Sequence, residues 1–217
     1  MARRAGMSRP PRMIAKDGRI HGRRIALVDP GIGAPAAVLT LEENRLRGYR
    51  DFLFLGACGG LEQDMRIGDI VLPDAAISEE GTSRLYTRSG PIFYPSPELV
   101  DVLELTAEEA GIKMKRGKIW TTDAPYRETP AKIWRFRRLG AMAVDMETSA
   151  LFAVAKLRGA RVAGLLVVSD LLHDKWVIGW HQRKYEKAED EARDVIVRTA
   201  LNLKGTPWRL AKRNRSR

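Results

Sequence analysis

Short apolar runs alternate along the chain with longer segments in which apolar residues recur at helical spacing. The apolar runs predict six strands, over residues 25–28, 52–55, 68–73, 75–78, 118–122 and 161–168. The last run has no polar alternation, which is typical of a central strand covered on both faces. It is therefore expected to lie in the middle of a sheet.

A Ser or Thr followed directly by proline marks a helix start, in which the Ser or Thr is the cap and the proline belongs to the first turn. Ser96 and Thr129 stand in this position, and we expect helices from them to residues 110 and 139. Further helices are predicted after a breaker-rich turn at 30–35 and over 147–157 and 182–203. This alternation predicts an α/β fold, a three-layer domain with a central mixed, largely parallel β-sheet flanked by helices.

Composition excludes several classes of protein. The chain has 217 residues, 44% of them hydrophobic and 30% charged, which is ordinary for one globular domain. Its longest apolar stretch, residues 162–168, is far too short to span a membrane. The single cysteine forms no internal disulfide, and the three histidines lie in no cluster with zinc spacing. We therefore expect a cytoplasmic protein that needs no metal.

Positive charge is concentrated at the two ends of the chain. Net charge is +11, but residues 1–24 hold eight basic residues against one acidic residue, and residues 204–217 hold six against none. The segment between them is nearly neutral. We predict a basic lead-in over 1–23, one domain over 24–203 and a basic tail over 204–217. The ends are either solvated or contact an anionic partner such as RNA or another subunit.

Polar residues at the carboxyl ends of predicted strands are the first candidates for a site, because the ligand crevice of an α/β sheet lies there. Four segments qualify: a glycine loop at 56–60, then 121–127, 144–147 and 169–170. Each alone has an ordinary structural explanation as a turn, a helix cap, an ion pair or a packing aromatic. Their order and spacing carry more information than any one of them.

Together these motifs resemble the nucleoside phosphorylase superfamily, which includes purine nucleoside phosphorylases, uridine phosphorylases and methylthioadenosine nucleosidases. The resemblance covers residues 24–203 and rests on five runs: Gly-Ile-Gly-Ala-Pro-Ala at 31–36, Gly-Ala-Cys-Gly-Gly at 56–60, Gly-Asp-Ile-Val at 68–71, Val-Asp-Met-Glu-Thr-Ser-Ala at 144–150 and Val-Ser-Asp at 168–170. It implies a homo-oligomeric enzyme that cleaves the N-glycosidic bond of a purine or pyrimidine nucleoside. The resemblance also implies that phosphate is the co-substrate and that the products are free base and pentose 1-phosphate.

The resemblance also implies roles for individual residues. Glu147 would accept hydrogen bonds from the ribose 2′- and 3′-hydroxyls, and Met146 would pack against the sugar. Asp170 would donate a proton or a hydrogen bond to N7 of a purine. The base would be bordered by Cys58, Gly59 and Val144, with Tyr126 near base and sugar. We add Arg127, which is placed to contact a pyrimidine carbonyl or phosphate from the rim.

Two features depart from the family pattern. Phosphorylases of this family carry an arginine and a Ser or Thr where this chain has Phe54 and Ala57, and neither replacement can bind phosphate in the same way. No match to the family's N-terminal strand and Gly-Asp-Pro loop precedes Ile25, so we expect the chain to be short at its N-terminus. Hydrolysis by a nucleosidase and a weakly catalytic nucleoside-binding relative whose basic tails contact RNA therefore stay as alternatives.

Overall fold

A computed structural model describes residues 15–20, 23–173 and 175–203, so most of both basic ends lies outside the described residues. The strands are β1 Ala15–Ile20, β2 Arg23–Val28, β3 Asp51–Gly60, β4 Ile70–Ser78, β5 Ile92–Phe93, β6 Met114–Thr121, β7 Ala141–Asp145, β8 Arg161–Leu172 and β9 Trp176–Ile178. The helices are α1 Ala34–Leu46, α2 Thr82–Tyr86, α3 Pro97–Glu109, α4 Pro130–Arg138, α5 Thr148–Arg158 and α6 Arg183–Asn202.

Seven strands form one mixed sheet in the order β5-β4-β6-β7-β3-β8-β9. The pairs β3–β8, β4–β6 and β6–β7 are parallel, whereas β3–β7 and β8–β9 are antiparallel. A further antiparallel pairing of β4 with β8 closes five of these strands into a ring. The remaining strands, β1 and β2, pair as a separate hairpin. The predicted mixed α/β sheet is confirmed, and its closure was not predicted.

Strand β8 shows how the ring is packed on both faces. Leu166 and Val168 pack with Cys58 in one apolar cluster, whereas Leu165 and Val167 belong to a second apolar cluster built on α3 and α6. Helix α6 contributes Ala188, Ala192 and Val195 to that cluster, a stripe at helical spacing. Helices α1 and α5 pack together elsewhere against the sheet. The predicted central position of β8 is correct.

The helix starts predicted from Ser96 and Thr129 are correct, although the two residues act differently. The Thr129 hydroxyl accepts a hydrogen bond from the Lys132 amide, as a helix cap does. The Ser96 hydroxyl instead accepts one from the Val162 amide at 2.9 Å, which ties the start of α3 to β8. One side chain thus fixes a helix against the strand that the helix covers.

Three predicted boundaries were wrong. The glycine segment 56–60 is the end of β3 and not a loop, because Gly59 and Gly60 pair with Asp170 and Leu171 of β8. Residues 68–73 and 75–78 were predicted as two strands, but 70–78 is one strand with an irregularity after Pro73. Strand β8 also extends to Leu172, so Asp170 lies within it. Glycine at position 59 permits the pairing of β3 with β8, because a Cβ there would collide with the side chain of Leu172.

None of the helices in the described ranges is long and apolar enough to cross a membrane.

The close pairing of β3 with β8 yields a stability prediction at Gly164. A Cβ there would collide with the carbonyl oxygen and ring of Phe54, and backbone cannot move aside as a side chain does. We expect Gly164→Ala to destabilise the fold by about 1–3 kcal/mol in urea unfolding. The control is Gly56→Ala, whose new Cβ meets only a flexible Leu166 methyl at 3.1 Å. Equal destabilisation by both would contradict this account.

Candidate active site

A cavity of about 690 Å³ opens beside the carboxyl halves of β3, β7 and β8. It brings together seven of the eight residues predicted from the sequence, namely Cys58, Gly59, Tyr126, Val144, Met146, Glu147 and Asp170. The segment 29–32, which follows β2, lines the same cavity. Segments that are more than 100 residues apart in sequence therefore meet at one site.

Glu147 occupies the cap position of α5, where the end of β7 turns into the helix. One oxygen of its carboxylate accepts a hydrogen bond from the Gly33 amide at 2.5 Å. The other accepts a longer one from the Met146 amide at 3.3 Å. Gly33 has a φ of 95°, a conformation that favours glycine, so the amide is presented to Glu147 by a turn that the sequence specifies.

Asp145 is a buried carboxylate that accepts a hydrogen bond from the backbone of Glu147. Its Oδ1 accepts a hydrogen bond from the Thr121 hydroxyl at 2.7 Å. Its Oδ2 accepts hydrogen bonds from the Thr148 amide and hydroxyl at 2.8 and 2.5 Å, and from the Glu147 amide at 3.2 Å. Burial raises the pKa of Asp145, and these hydrogen bonds act in the opposite direction. The network joins β6, β7 and α5.

The ionisation of Glu147 is shifted into the neutral range. Burial raises the pKa of Glu147 to about 7, with a further contribution from Asp145, while the amide of Gly33 opposes the shift. An ionised carboxylate has four acceptor positions, and the amides of Gly33 and Met146 occupy two of them in Glu147, so two remain for incoming hydroxyl groups. The geometry thus provides a carboxylate whose capacity to accept hydrogen bonds depends on pH near neutrality.

Asp170 lies on β8 and faces the same cavity. Its Oδ1 accepts a hydrogen bond from the Ser169 hydroxyl and its Oδ2 one from the Trp176 indole, both at 2.7 Å. Trp176 begins β9, which pairs back onto β8. Trp176 was not predicted because β9 has only three residues, which is shorter than the runs of four to eight that predict a strand.

The lining residues that were not predicted include Glu128, Trp176 and Trp180. Glu128 follows a short 3-10 turn, Pro125–Arg127. It stands directly after the 121–127 segment, and that proximity was the only available signal. The indoles of Trp176 and Trp180 are about half exposed, and Tyr126 is 91% exposed. Flat aromatic surface therefore lies near the opening of the cavity.

Two predicted residues need comment. Arg127 is exposed and is not among the residues that line the cavity, so the structure does not bring it to the site. Cys58 is buried, and burial raises the pKa of its thiol well above the usual value. A thiol in this state is a poor nucleophile. Cys58 lines the cavity as a small apolar side chain.

The described lining of the cavity is acidic. It includes the carboxyl groups of Asp29, Glu128, Asp145, Glu147 and Asp170, and no Lys, Arg or His. Phe54 and Ala57, the two residues that depart from the family pattern, both line it. Within the described residues no group of His, Cys, Asp and Glu side chains has an arrangement that could hold a metal ion.

The fold and this cavity place the chain in a known class of α/β proteins. A sequence model described as "Phosphorylase superfamily" matches residues 14–202, and the chain belongs to that family. The family resemblance found from the sequence motifs is therefore confirmed.

Individual relatives are similar over most of the domain. A guanosine phosphorylase from Halorubrum lacusprofundi is 33% identical over 150 residues, 68% of this chain and 61% of that protein. A DeoD-type purine nucleoside phosphorylase from Geobacillus sp. is 31% identical over 163 residues, 73% of this chain and 68% of that one. The alignment thus spans less than two thirds of the guanosine phosphorylase.

A solved structure has the same fold. The crystal structure of purine nucleoside phosphorylase from Toxoplasma gondii in complex with immucillin-H superposes with a TM-score of 0.80. The match covers 88% of this chain and 79% of that one, at 21% sequence identity.

The raised pKa of Glu147 predicts opposite effects of Glu147→Gln on activity and stability. Turnover should fall roughly 10²-fold or more, because a neutral amide is a weaker acceptor for hydroxyl groups. A raised pKa means that the folded state holds the proton more tightly. The free energy of unfolding of the wild type should therefore decrease as the pH rises from about 4.5 through about 7, because Glu147 then ionises in a partly buried position.

Thermal unfolding on both sides of this pH window measures the effect on stability. We expect Glu147→Gln to be more stable than wild type above the window, and its advantage to shrink below it. Glu109→Gln is the control, because Glu109 lies exposed at the end of α3 and makes no side-chain hydrogen bond or ion pair within the described residues. Unchanged turnover in Glu147→Gln would remove Glu147 from the site.

Proposed function

We propose that this protein cleaves the N-glycosidic bond of a purine nucleoside with phosphate, giving free base and pentose 1-phosphate. One observation carries the proposal: Glu147, fixed by Gly33 and Asp145, shares a single cavity with Asp170 in a chain of the phosphorylase superfamily. The choice of a purine is supported by the names of the relatives, a guanosine phosphorylase and purine nucleoside phosphorylases.

At the sugar, the reaction needs an anion and not a nucleophile from the protein. Breaking the bond between C1′ and the base develops positive charge on the ribose. Ionised Glu147 would accept hydrogen bonds from the 2′- and 3′-hydroxyls, and these bonds strengthen as the ring becomes cationic. Met146 lines the cavity beside Glu147 and would pack against the sugar. Asp145 acts through Glu147 as a positioning residue.

At the base, the cavity offers small apolar surfaces and carboxyl groups. Cys58, Gly59 and Val144 would border the ring, and Gly59 in particular leaves room beside Asp170, since a Cβ there would approach the carboxylate at 3.3 Å. The indole of Trp176 holds the Asp170 carboxylate in place. Tyr126 and Trp180 would cover the base from the opening.

Phosphate needs cations that the described lining of the cavity does not contain. In this proposal they come from basic residues of the chain ends or from a second copy of the chain in a homo-oligomer. Both ends are rich in arginine, which binds phosphate in a bidentate manner. No metal or organic cofactor takes part.

Hydrolysis to free pentose and base is the second candidate. The acidic lining favours it, because five carboxyl-bearing residues repel a phosphate anion but not a water molecule. In that case one of the carboxylates would activate water, as a general base does in glycoside hydrolysis.

Chromatography of the products distinguishes these two functions. Purified protein is incubated with inosine, guanosine, adenosine and uridine, each with phosphate and with sulfate as the matched control anion. We expect purine release that requires phosphate and yields pentose 1-phosphate. Equal release in sulfate, with free pentose as the product, would establish hydrolysis instead. Release of no base from any nucleoside under either condition would overturn both.

A further inference from the structure

The pairing of β9 with β8 brings Trp176 to Asp170. In that antiparallel pair Trp176 lies opposite Leu172, which follows Asp170 by two residues. Alternate residues of a strand share one face of the sheet, so Asp170 and Leu172 lie on the face to which Trp176 also belongs. Aromatic side chains are long enough to reach a diagonal neighbour in such a pair. The indole nitrogen of Trp176 accordingly lies 2.7 Å from Oδ2 of Asp170.

The backbone that follows β9 is also held against β8. The Gly179 amide donates a hydrogen bond to the Ser169 carbonyl oxygen at 2.8 Å. A Cβ on Gly179 would come within 2.5 Å of the Ile67 side chain, so this backbone lies directly against a buried residue. The hydrogen bond between Trp176 and Asp170 is therefore supported by sheet pairing on one side and by core packing on the other.

The two oxygens of Asp170 have partners of different kinds. An indole N–H can only donate, so Trp176 binds a lone pair of Oδ2 and does so most strongly when Asp170 is ionised. The Ser169 hydroxyl lies 2.7 Å from Oδ1 and 3.3 Å from the Cys58 carbonyl oxygen. It can donate to an ionised Oδ1, or accept from a protonated Oδ1 while it donates to Cys58. A proton on Oδ1 thus leaves the bond from Trp176 in place.

We propose that Trp176 is a positioning residue for proton transfer from Asp170 to N7 of the departing purine. The inference rests on the proposed function. As the bond between C1′ and N9 breaks, its electron pair passes to the base, and the Oδ1 proton of Asp170 moves to N7. A phosphate oxygen forms the new bond to C1′. Trp176 holds the carboxyl group and stabilises the negative charge left on Asp170, which then regains a proton from solvent.

Trp180 provides a matched comparison within the same cavity. The indoles of both tryptophans line the cavity, and the two residues are 54% and 51% exposed. Within the described residues, the indole N–H of Trp180 has no hydrogen-bond partner. Replacing either tryptophan by phenylalanine removes similar aromatic surface, but only Trp176→Phe removes a hydrogen bond to Asp170.

Two nucleosides separate this role from packing against the substrate. Guanosine needs a proton at N7 as its base departs, whereas 7-methylguanosine has a fixed positive charge on the imidazole ring and needs none. At slightly acidic pH and in phosphate, we expect Trp176→Phe to lower kcat/KM for guanosine roughly 10- to 10²-fold. The loss should lie mainly in kcat, because the charge on Asp170 develops in the transition state.

The same variant should lower kcat/KM for 7-methylguanosine less than about threefold, and this retained activity shows that it is folded. Trp180→Phe should change kcat/KM for the two nucleosides by one common factor, because its indole donates no hydrogen bond to Asp170. The proposal is overturned if Trp176→Phe also changes both by a common factor, or changes neither. If wild type cleaves neither nucleoside, the failure is that of the proposed function.

A double-mutant cycle with Asp170→Asn provides a second readout. In the Asp170→Asn background, Trp176→Phe should change kcat/KM for guanosine less than about threefold, because the carboxylate that the indole stabilises is already absent. The same loss in both backgrounds would show that Trp176 acts independently of Asp170, and would contradict the proposal.

Discussion

The hydrogen bonds that Asp145 accepts at the junction of β7 and α5 are the interaction on which the site depends. This one buried carboxylate binds the Thr121 hydroxyl, the Thr148 amide and hydroxyl, and the Glu147 amide. Burying a charge is costly unless it is hydrogen-bonded, and Asp145 accepts four hydrogen bonds. As a result the first turn of α5 is fixed against β6, and Glu147 is held where the Gly33 amide reaches it.

A second constraint is the charge balance of the cavity. Its described lining contains carboxyl groups and no Lys, Arg or His, so no positive charge in the lining offsets the cost of burying a carboxylate. Burial therefore raises the pKa values of both Glu147 and Glu128 to about 7. The two residues nonetheless differ in local bonding, since backbone amides bind Glu147 and none of the described groups binds Glu128. That difference supports the proposed role of Glu147 as the acceptor of hydrogen bonds from ribose, because the backbone amides hold its carboxylate in one position.

Most of the fold and the centre of the site were predictable from the sequence, because they depend on local signals. Cap and proline pairs located α3 and α4, and the motif at 144–150 pointed to Glu147, which lines the cavity. Wrong boundaries arose where tertiary pairing overrides local preference, as at Gly59, which reads as a turn but pairs in a strand. Trp176 and Glu128 were missed because only the closure of β9 and a 3-10 turn bring them to the cavity.

The central claim is that Glu147 acts on the ribose hydroxyls, and a cycle of substrate and enzyme changes tests it most directly. It measures kcat/KM for inosine and 2′,3′-dideoxyinosine with wild type and Glu147→Gln. The account predicts that removing the hydroxyls costs wild type roughly 10²-fold or more and costs the variant little, because their partner is already lost. The same cost in both enzymes would show that Glu147 does not bind these hydroxyls, and would contradict the account.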